Sequence, residues 1–337
     1  MNKMFSSTLL ILAVCALVAL VGCEGEKGAD GPAGPAGTAG VSGTAACGTC
    51  HDVSTDIVAK QIQYEQSTHA MGSAYLRGTS ASCAPCHSSE GFTQKVAGLE
   101  VTGADNPTPP NCRTCHNIHT NYDATDYALA TTAPVTLTGS MTVDATIDLG
   151  KGNLCANCHQ TRLRTYGLEV GGADIGITST HFGPHHGVQS NVLTGNSGYE
   201  FAGSMAYDDS PHAAMIEDGC VTCHMSAPGT TSGGHTFTPN DTACAECHSD
   251  FDGFDVNGAQ TEIKELISTL AALLEAELLV HMDEEGAYHN LKIESTTNAK
   301  AGALFNFIMI QNEDGSNGVH NFKYTKALLT NSIEALQ

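Results

Sequence analysis

Apolar residues recur at helical spacing in the C-terminal quarter of the chain. Between Thr261 and Met282 they follow the i, i+3, i+4 pattern of an amphipathic helix of about twenty residues. Further helices are predicted at 299–311 and 321–336, with a break at Gly315–Gly318 between them. Together these segments predict a helical subdomain over residues 256–337 that packs on the domain before it.

Two other segments have a readable pattern. Residues 133–150, APVTLTGSMTVDATIDLG, alternate β-branched and polar side chains around Gly139 and Ser140, which predicts a β-hairpin insertion. The segment from Tyr64 to Tyr75, YEQSTHAMGSAY, predicts a helix. The remainder shows no long periodic pattern, so the fold class predicted is mainly α and irregular.

The N-terminus has the features of an export signal. The apolar run from Leu9 to Val21 is long enough for a secretory signal but short for a membrane span. It ends in Leu20-Val21-Gly22-Cys23, which resembles the lipobox of bacterial lipoproteins. We therefore expect residues 1–22 to be a lipoprotein signal peptide and Cys23 to carry the lipid, so that acyl chains tether the exported chain. The alternative is an ordinary signal followed by an unrelated cysteine.

A glycine at every third position marks the segment after Cys23. Glycines recur from Gly25 to Gly43, with Pro32 and Pro35 at collagen-like positions. Residues 23–44 are therefore predicted to be a collagen-like Gly-X-Y tether that extends the protein beyond the lipid surface. A short triple helix that trimerises the chain is the alternative.

Fourteen cysteines are the most informative feature of the composition. Cys15 lies in the predicted signal and Cys23 in the lipobox, and all of the other twelve fall into six Cys-x-x-Cys-His units. The paired cysteines are Cys47 and Cys50, Cys83 and Cys86, Cys112 and Cys115, Cys155 and Cys158, Cys220 and Cys223, and Cys244 and Cys247. This unit is the attachment motif of c-type haem. Neither a disulfide framework nor zinc sites would require a histidine after every second cysteine. Residues 45–255 are thus predicted to form a domain with six covalent haems.

Sixteen histidines accompany the cysteines. Six of them end the motifs and are the predicted proximal iron ligands: His51, His87, His116, His159, His224 and His248. Six of the other ten would close every iron as a bis-His site, and the preferred distal ligands are His69, His119, His186, His212, His235 and His320. The remaining histidines, His181, His185, His281 and His289, are left open. Methionine ligation is a minority alternative at Met71, Met205, Met215, Met225 and Met282.

The charge balance restricts the partners. Against 36 acidic residues stand 14 Lys and Arg, a formal net charge of -22, which argues against nucleic acid and anionic lipid surfaces. Cationic metals or positively charged redox proteins fit better. Only 6% of the residues are aromatic and there is no Trp, so the haems themselves are expected to supply much of the apolar core.

Several short strings, in order along the chain, resemble one protein family. They are CHNIHT, GPHHG followed by GNSGYEF, SPH before GCVTCHM, GGHTF, and the terminal GVHNFKYTKALL. Together they look like the multihaem c-type cytochromes on the outer surface of metal-respiring bacteria. The resemblance implies a multihaem cytochrome c fold, lipid anchoring at an outer membrane facing outside, and electron transfer to metal oxides, partner cytochromes or an electrode. Some members resemble subunits of extracellular haem filaments, so self-assembly is a further expectation, although a lipid anchor conflicts with free filaments.

Two functions from different classes remain open. The first is an electron carrier without substrate turnover, because an iron with two histidine ligands has no open position for a substrate. The second is a multihaem reductase of a small nitrogen or sulfur oxyanion, which would need one open haem. Nitrite reductases of this kind usually carry a Cys-x-x-Cys-Lys motif, whereas all six motifs here end in His. The sequence therefore favours the carrier.

Replacing Cys23 by Ala should abolish acyl modification and release the protein from the membrane fraction, because the acyl chains would be its anchor. Cys15→Ala, which leaves the lipobox unchanged, is the matched control. Acyl labelling and fractionation of both variants measure the effect, and unchanged partitioning of the Cys23 variant would show that the lipobox prediction is wrong.

Overall fold

Short helices joined by irregular segments make up the region that contains the six motifs. The computed structural model describes residues 47–48, 50–51, 56–139, 145–162, 166–226 and 232–337. The predicted signal peptide, the lipidated Cys23 and the collagen-like tether lie outside these residues. The helices before residue 225 are α1 (Asp56–Glu65), α2 (Ala84–His87), α3 (Ser89–Val96), α4 (Cys112–Cys115), α5 (Asn153–Ala156), α6 (Gln189–Leu193), α7 (Pro211–Met215) and α8 (Cys220–His224). Short 3-10 helices lie at Ala74–Thr79, Ala124–Tyr127, Gly150–Gly152, Gly234–Thr236 and Asp241–Glu246.

Longer helices occupy the C-terminal part. They are α9 (Ala259–Ala276), α10 (Asn298–Phe307), a π-helical continuation at Ile308–Asp314, and α11 (Phe322–Leu336). The predicted helix at 261–282 ends early because Leu278 adopts a left-handed backbone with φ of 56°, after which the chain enters a strand. The predicted break is present, since Gly315 ends the π-helix with φ of 65°. Asn321 then caps α11 by accepting from the Tyr324 N–H.

All four sheets in the described residues are small and antiparallel. The strands are β1 (Val135–Thr136), β2 (Thr146–Ile147), β3 (Ile175–Ile177), β4 (Phe251–Asp252), β5 (Asp255–Val256), β6 (Val280–Met282), β7 (Tyr288–Asn290) and β8 (Ile293–Thr296). They pair as β1–β2, β3–β8, β4–β5 and β6–β7. The predicted hairpin corresponds to β1 and β2, where Val135 pairs with Ile147, while residues 140–144 at its turn lie outside the described part. A mostly helical chain with small antiparallel sheets confirms the coarse fold prediction.

The helix predicted between Tyr64 and Tyr75 is wrong. Helix α1 stops at Glu65, and the following residues form successive turns before the 3-10 helix at Ala74–Thr79. Gly72 adopts φ of 83°, a conformation that a right-handed helix does not accommodate. His69 therefore lies in an irregular segment rather than on a helix face.

The main apolar core contains residues from both sides of residue 256, where the sequence predicts the start of the C-terminal subdomain. Buried side chains of α9, α10 and α11 pack with a segment that includes Ile177, Phe182 and Tyr199. The β3–β8 pair links the same two regions, with Ile175 opposite Thr296. The C-terminal helices therefore share one core with residues 177–201. No helix of the described residues is both long and apolar enough to cross a bilayer.

Asn306 connects two parts of this core through hydrogen bonds. Its side-chain oxygen accepts from the Tyr199 N–H at 2.7 Å. Its amide donates to the Tyr199 carbonyl at 2.8 Å and to the Ser332 hydroxyl at 2.9 Å. Close packing accompanies these bonds, because a Cβ at Gly302 would come within 2.6 Å of the Tyr199 ring. One amide thus satisfies both main-chain polar groups of Tyr199.

Asn306→Ala should lower the free energy of unfolding by about 3 kcal/mol, because it leaves the buried N–H and C=O of Tyr199 without partners. The control is Asn312→Ala, which removes an exposed amide that donates to the Tyr288 carbonyl, and its effect should stay within about 0.5 kcal/mol. Denaturant unfolding of the haem-containing protein measures both. Equal losses from the two variants would contradict this role of Asn306.

Candidate functional site

Six pairs of histidine rings face each other across nearly the same gap. Each pair joins the histidine of one Cys-x-x-Cys-His motif to a histidine elsewhere in the chain. The ring centroids are 6.2 Å apart for His51 and His119, 6.1 Å for His87 and His185, 6.1 Å for His116 and His235, 6.0 Å for His159 and His69, 6.3 Å for His224 and His320, and 6.2 Å for His248 and His212.

This gap is the one that a single metal ion between two imidazoles requires. A metal–nitrogen bond is about 2 Å, and the ligating nitrogen lies about 1 Å from the ring centre, so two opposed ligands place their ring centres about 6 Å apart. The pair made by His281 and His289 is closer, at 5.5 Å, and contains no motif histidine. The six wider pairs therefore fit an iron held between a proximal and a distal histidine.

A helical turn sets the position of the motif histidine relative to its cysteines. In four motifs the histidine N–H donates to the carbonyl of the first cysteine, four residues earlier: His87 to Cys83 at 3.1 Å, His116 to Cys112 at 2.9 Å, His159 to Cys155 at 2.9 Å, and His248 to Cys244 at 2.8 Å. The third motif also has a capping box, in which Asn111 and Thr114 satisfy each other's N–H groups. One tight turn thus places two thiols and an imidazole around the same point.

Hydrogen bonds at Nδ1 orient five of the paired rings. His116, His212 and His224 meet carbonyls, Tyr127 at 2.7 Å, Val319 at 2.8 Å and Phe237 at 2.9 Å respectively. His159 meets the Gln189 side-chain oxygen at 3.1 Å, and His320 meets the Asp314 carboxylate at 2.7 Å. Because Nδ1–H donates in each bond, the Nε2 lone pair stays available for a metal.

Burial disfavours the charged form of six of the paired imidazoles, and a metal ligand must be neutral. Burial, with His159 nearby, lowers the pKa of His69 to about 4. Burial is also the main cause that lowers the pKa of His87, His159, His185, His224 and His235. At His320 burial acts in the same direction, but the Asp314 carboxylate outweighs it and raises the pKa.

The second pair differs from one sequence-based choice. The ring opposite His87 is His185, whereas His186 was the preferred distal ligand. His186 instead points its Nδ1 at the Glu313 carboxylate, 2.6 Å away, and its side chain is 79% exposed. The Nδ1 of His185 is buried and has no hydrogen-bond partner among the described residues, so a ring nitrogen is available there for a metal. One physical reason is the backbone, since His185 adopts φ of 70° and the planes of the two neighbouring rings lie at 84° to each other.

The other five preferred distal histidines each face a motif histidine. His119 follows its own motif by three residues, yet its left-handed backbone, with φ of 65°, places its ring opposite His51 of the first motif.

Among the histidines left open, His281 and His289 are cross-strand neighbours on β6 and β7. Three of the alternative methionines, Met71, Met215 and Met282, are exposed.

Sulfur contacts bring the motifs next to one another. Cys86 and Cys158 lie within hydrogen-bonding reach, and so do Cys155 and Cys220. Neighbouring carbonyls approach in the same places, with the Cys86 thiol 3.8 Å from the Asn157 oxygen. The fourth motif thus contacts the second and the fifth.

The first, third and sixth motifs lie next to this group of the second, fourth and fifth. Cys115 of the third motif lies close enough to Cys155 and Cys158 for electrostatic coupling, and so does Cys223 of the fifth motif to Cys244 of the sixth. The Cys50 thiol of the first motif lies 3.9 Å from the carbonyl of Asp123, in the segment that follows the third motif. All six motifs are therefore neighbours in one series, in which the fourth motif contacts the second and the fifth and lies near the third.

No protein-family model matches the chain, and no match was found among characterised proteins. Among solved structures, the chain is similar to an undecahaem cytochrome from the S-layer of Carboxydothermus ferrireducens, with 17% sequence identity and a TM-score of 0.43. The similarity covers 82% of this chain and 39% of that one, so the chain spans about two fifths of that protein's length.

With the six predicted haems bound, His185→Ala should leave one haem without its distal ligand, and about one sixth of the haem should become high-spin and bind carbon monoxide. The neighbouring variant His186→Ala is the matched control and should keep all haems low-spin, because that ring bonds to Glu313. Absorption and electron paramagnetic resonance spectra measure the spin states. A high-spin haem in His186→Ala but not in His185→Ala would show that His186 is the distal ligand, as the sequence predicts.

Proposed function

We propose that this protein is a multihaem c-type cytochrome with six covalently attached bis-His haems, and that it carries electrons between a cell-envelope donor and an extracellular acceptor. The observation that carries the proposal is the set of six histidine pairs, each with one motif histidine and a ring separation of 6.0 to 6.3 Å. When bound, the haem irons supply one-electron couples. The two histidines of each pair would hold the iron between them and leave no position there for a substrate.

The connected motifs support a relay. Adjacent attachment points imply adjacent macrocycles, and neighbouring motifs lead from the first through the third to the fourth, and from the fourth to the fifth and sixth. The second motif branches from the fourth through Cys86 and Cys158. Electrons entering at either end would therefore pass the fourth motif, whose His159 is paired with His69.

The pairing of the motif histidines within one chain has a consequence for self-assembly. All six motif histidines already have a partner ring in the same chain, so no site needs a ligand from a second copy. A filament in which subunits exchange histidine ligands is therefore not required for a complete relay. We propose a lipid-anchored surface protein, attached through Cys23, that meets its redox partners or a metal oxide by surface contact.

The acidic surface suits cationic partners. The formal charge of -22 attracts positively charged metals or basic redox proteins, with a strength that falls as salt screens the field. Several of the 14 basic side chains are already engaged in ion pairs, including Lys151 with Asp218 and Lys300 with Glu277. Each ion pair occupies one basic and one acidic side chain, so the net surface charge stays negative.

Carbon monoxide titration separates the carrier from the oxyanion reductase. Carbon monoxide needs a free axial position, so the reduced protein should show no spectral change, while a haem assay should return six haems per chain. His185→Ala provides the positive control with one open site. Stoichiometric binding to one haem of the unmodified protein would favour the reductase, and four or fewer haems would contradict the count of motifs.

A further inference from the structure

A buried carboxylate lies behind one of the distal histidines. Asp314 ends the π-helix, and its side chain is fully buried. One carboxylate oxygen lies 2.7 Å from Nδ1 of His320, and the other accepts from the N–H and the hydroxyl of Ser316. Within the described part of the chain no lysine or arginine pairs with this group, so its polar partners are the His320 ring and Ser316.

This arrangement differs from those at the other oriented rings. His116, His212 and His224 donate from Nδ1 to neutral carbonyls, and His159 to a neutral amide. Among these five rings, His320 alone meets a carboxylate. Two further carboxylates meet histidines, Glu313 at His186 and Asp283 at His289, but neither ring faces a motif histidine.

A carboxylate on Nδ1 changes what Nε2 donates to a metal. The proton shared with the carboxylate is drawn away from the ring, so the ring becomes a more basic ligand. A negative charge without nearby solvent also interacts strongly with the charge at the metal, because the surrounding dielectric is low. Both effects favour the ferric state over the ferrous state.

We propose that Asp314 is a positioning residue that lowers the reduction potential of the haem held by Cys220, Cys223, His224 and His320. This inference rests on the proposed function, since it assumes that a haem lies between His224 and His320. The site lies next to the fourth motif on one side and the sixth on the other, so its potential controls passage between the branch point and the end of the series.

The test is a spectroelectrochemical titration of Asp314→Asn in the full haem-containing protein. The asparagine oxygen still accepts from Nδ1, but the charge is gone. One component, about one sixth of the absorbance change, should move to higher potential while the others stay in place. Asp283→Asn is the matched control, because Asp283 meets His289 at the same distance of 2.7 Å, and it should move no component.

Two more variants keep the proposal falsifiable if Asp314→Asn binds less haem. Asp314→Glu retains the carboxylate and should keep the potential of that component close to its original value. Ser316→Ala removes a hydroxyl that donates to the carboxylate, which makes the carboxylate more basic and should shift the same component to lower potential.

Each outcome is distinguishable from failure of the proposed function. Six haems and no carbon monoxide binding in the unmodified protein, together with unmoved components in Asp314→Asn and Ser316→Ala, would overturn the role of Asp314 alone. Carbon monoxide binding to one haem of Asp314→Asn would show that the carboxylate only holds the ring, which also overturns it. An open haem or a low haem count in the unmodified protein would instead contradict the cytochrome proposal.

Discussion

The length of two metal–nitrogen bonds constrains the chain around all six motifs. Two imidazoles that share one metal must keep their ring centres about 6 Å apart, whatever elements carry them. The observed pairs satisfy this from very different backbones, since His212 lies on a short helix, His69 in a series of turns and His119 in a left-handed loop. Regular secondary structure is short in this region because the positions of the paired histidines, rather than helix packing, determine the path of the chain.

One short segment, residues 313–320, contacts the ligands of several sites. The Glu313 carbonyl accepts from Gln189, whose side-chain oxygen meets His159, while its carboxylate holds His186 beside the ligand His185. Six residues later the Val319 carbonyl accepts from His212. A π-helix leads into this segment, and such irregular turns are common at functional sites. The C-terminal helices thus connect the apolar core to the geometry of four of the histidine pairs.

Local patterns predicted the parts that depend on local chemistry. The cysteine motifs, the three C-terminal helices and the hairpin could be located because spacing alone defines them. The helix between Tyr64 and Tyr75 was wrong, since composition does not reveal the turn at Gly72. His185 and His186 are adjacent and chemically identical, and the choice between them depends on Glu313, which is 127 residues away along the chain. Asp314 likewise has no sequence signal, because only the fold places it behind His320.

Each histidine pair also joins distant points of the polypeptide. A covalent haem bound to two cysteines of one motif and to a remote histidine acts as a cross-link, much as a disulfide does, and it removes conformational entropy from the unfolded chain. His116 and His235 bracket the fourth and fifth motifs, so their closure encloses two other attachment sites in one loop. In the proposed cytochrome, haem insertion therefore also closes loops, and the order of closure sets how much conformational entropy each later closure costs.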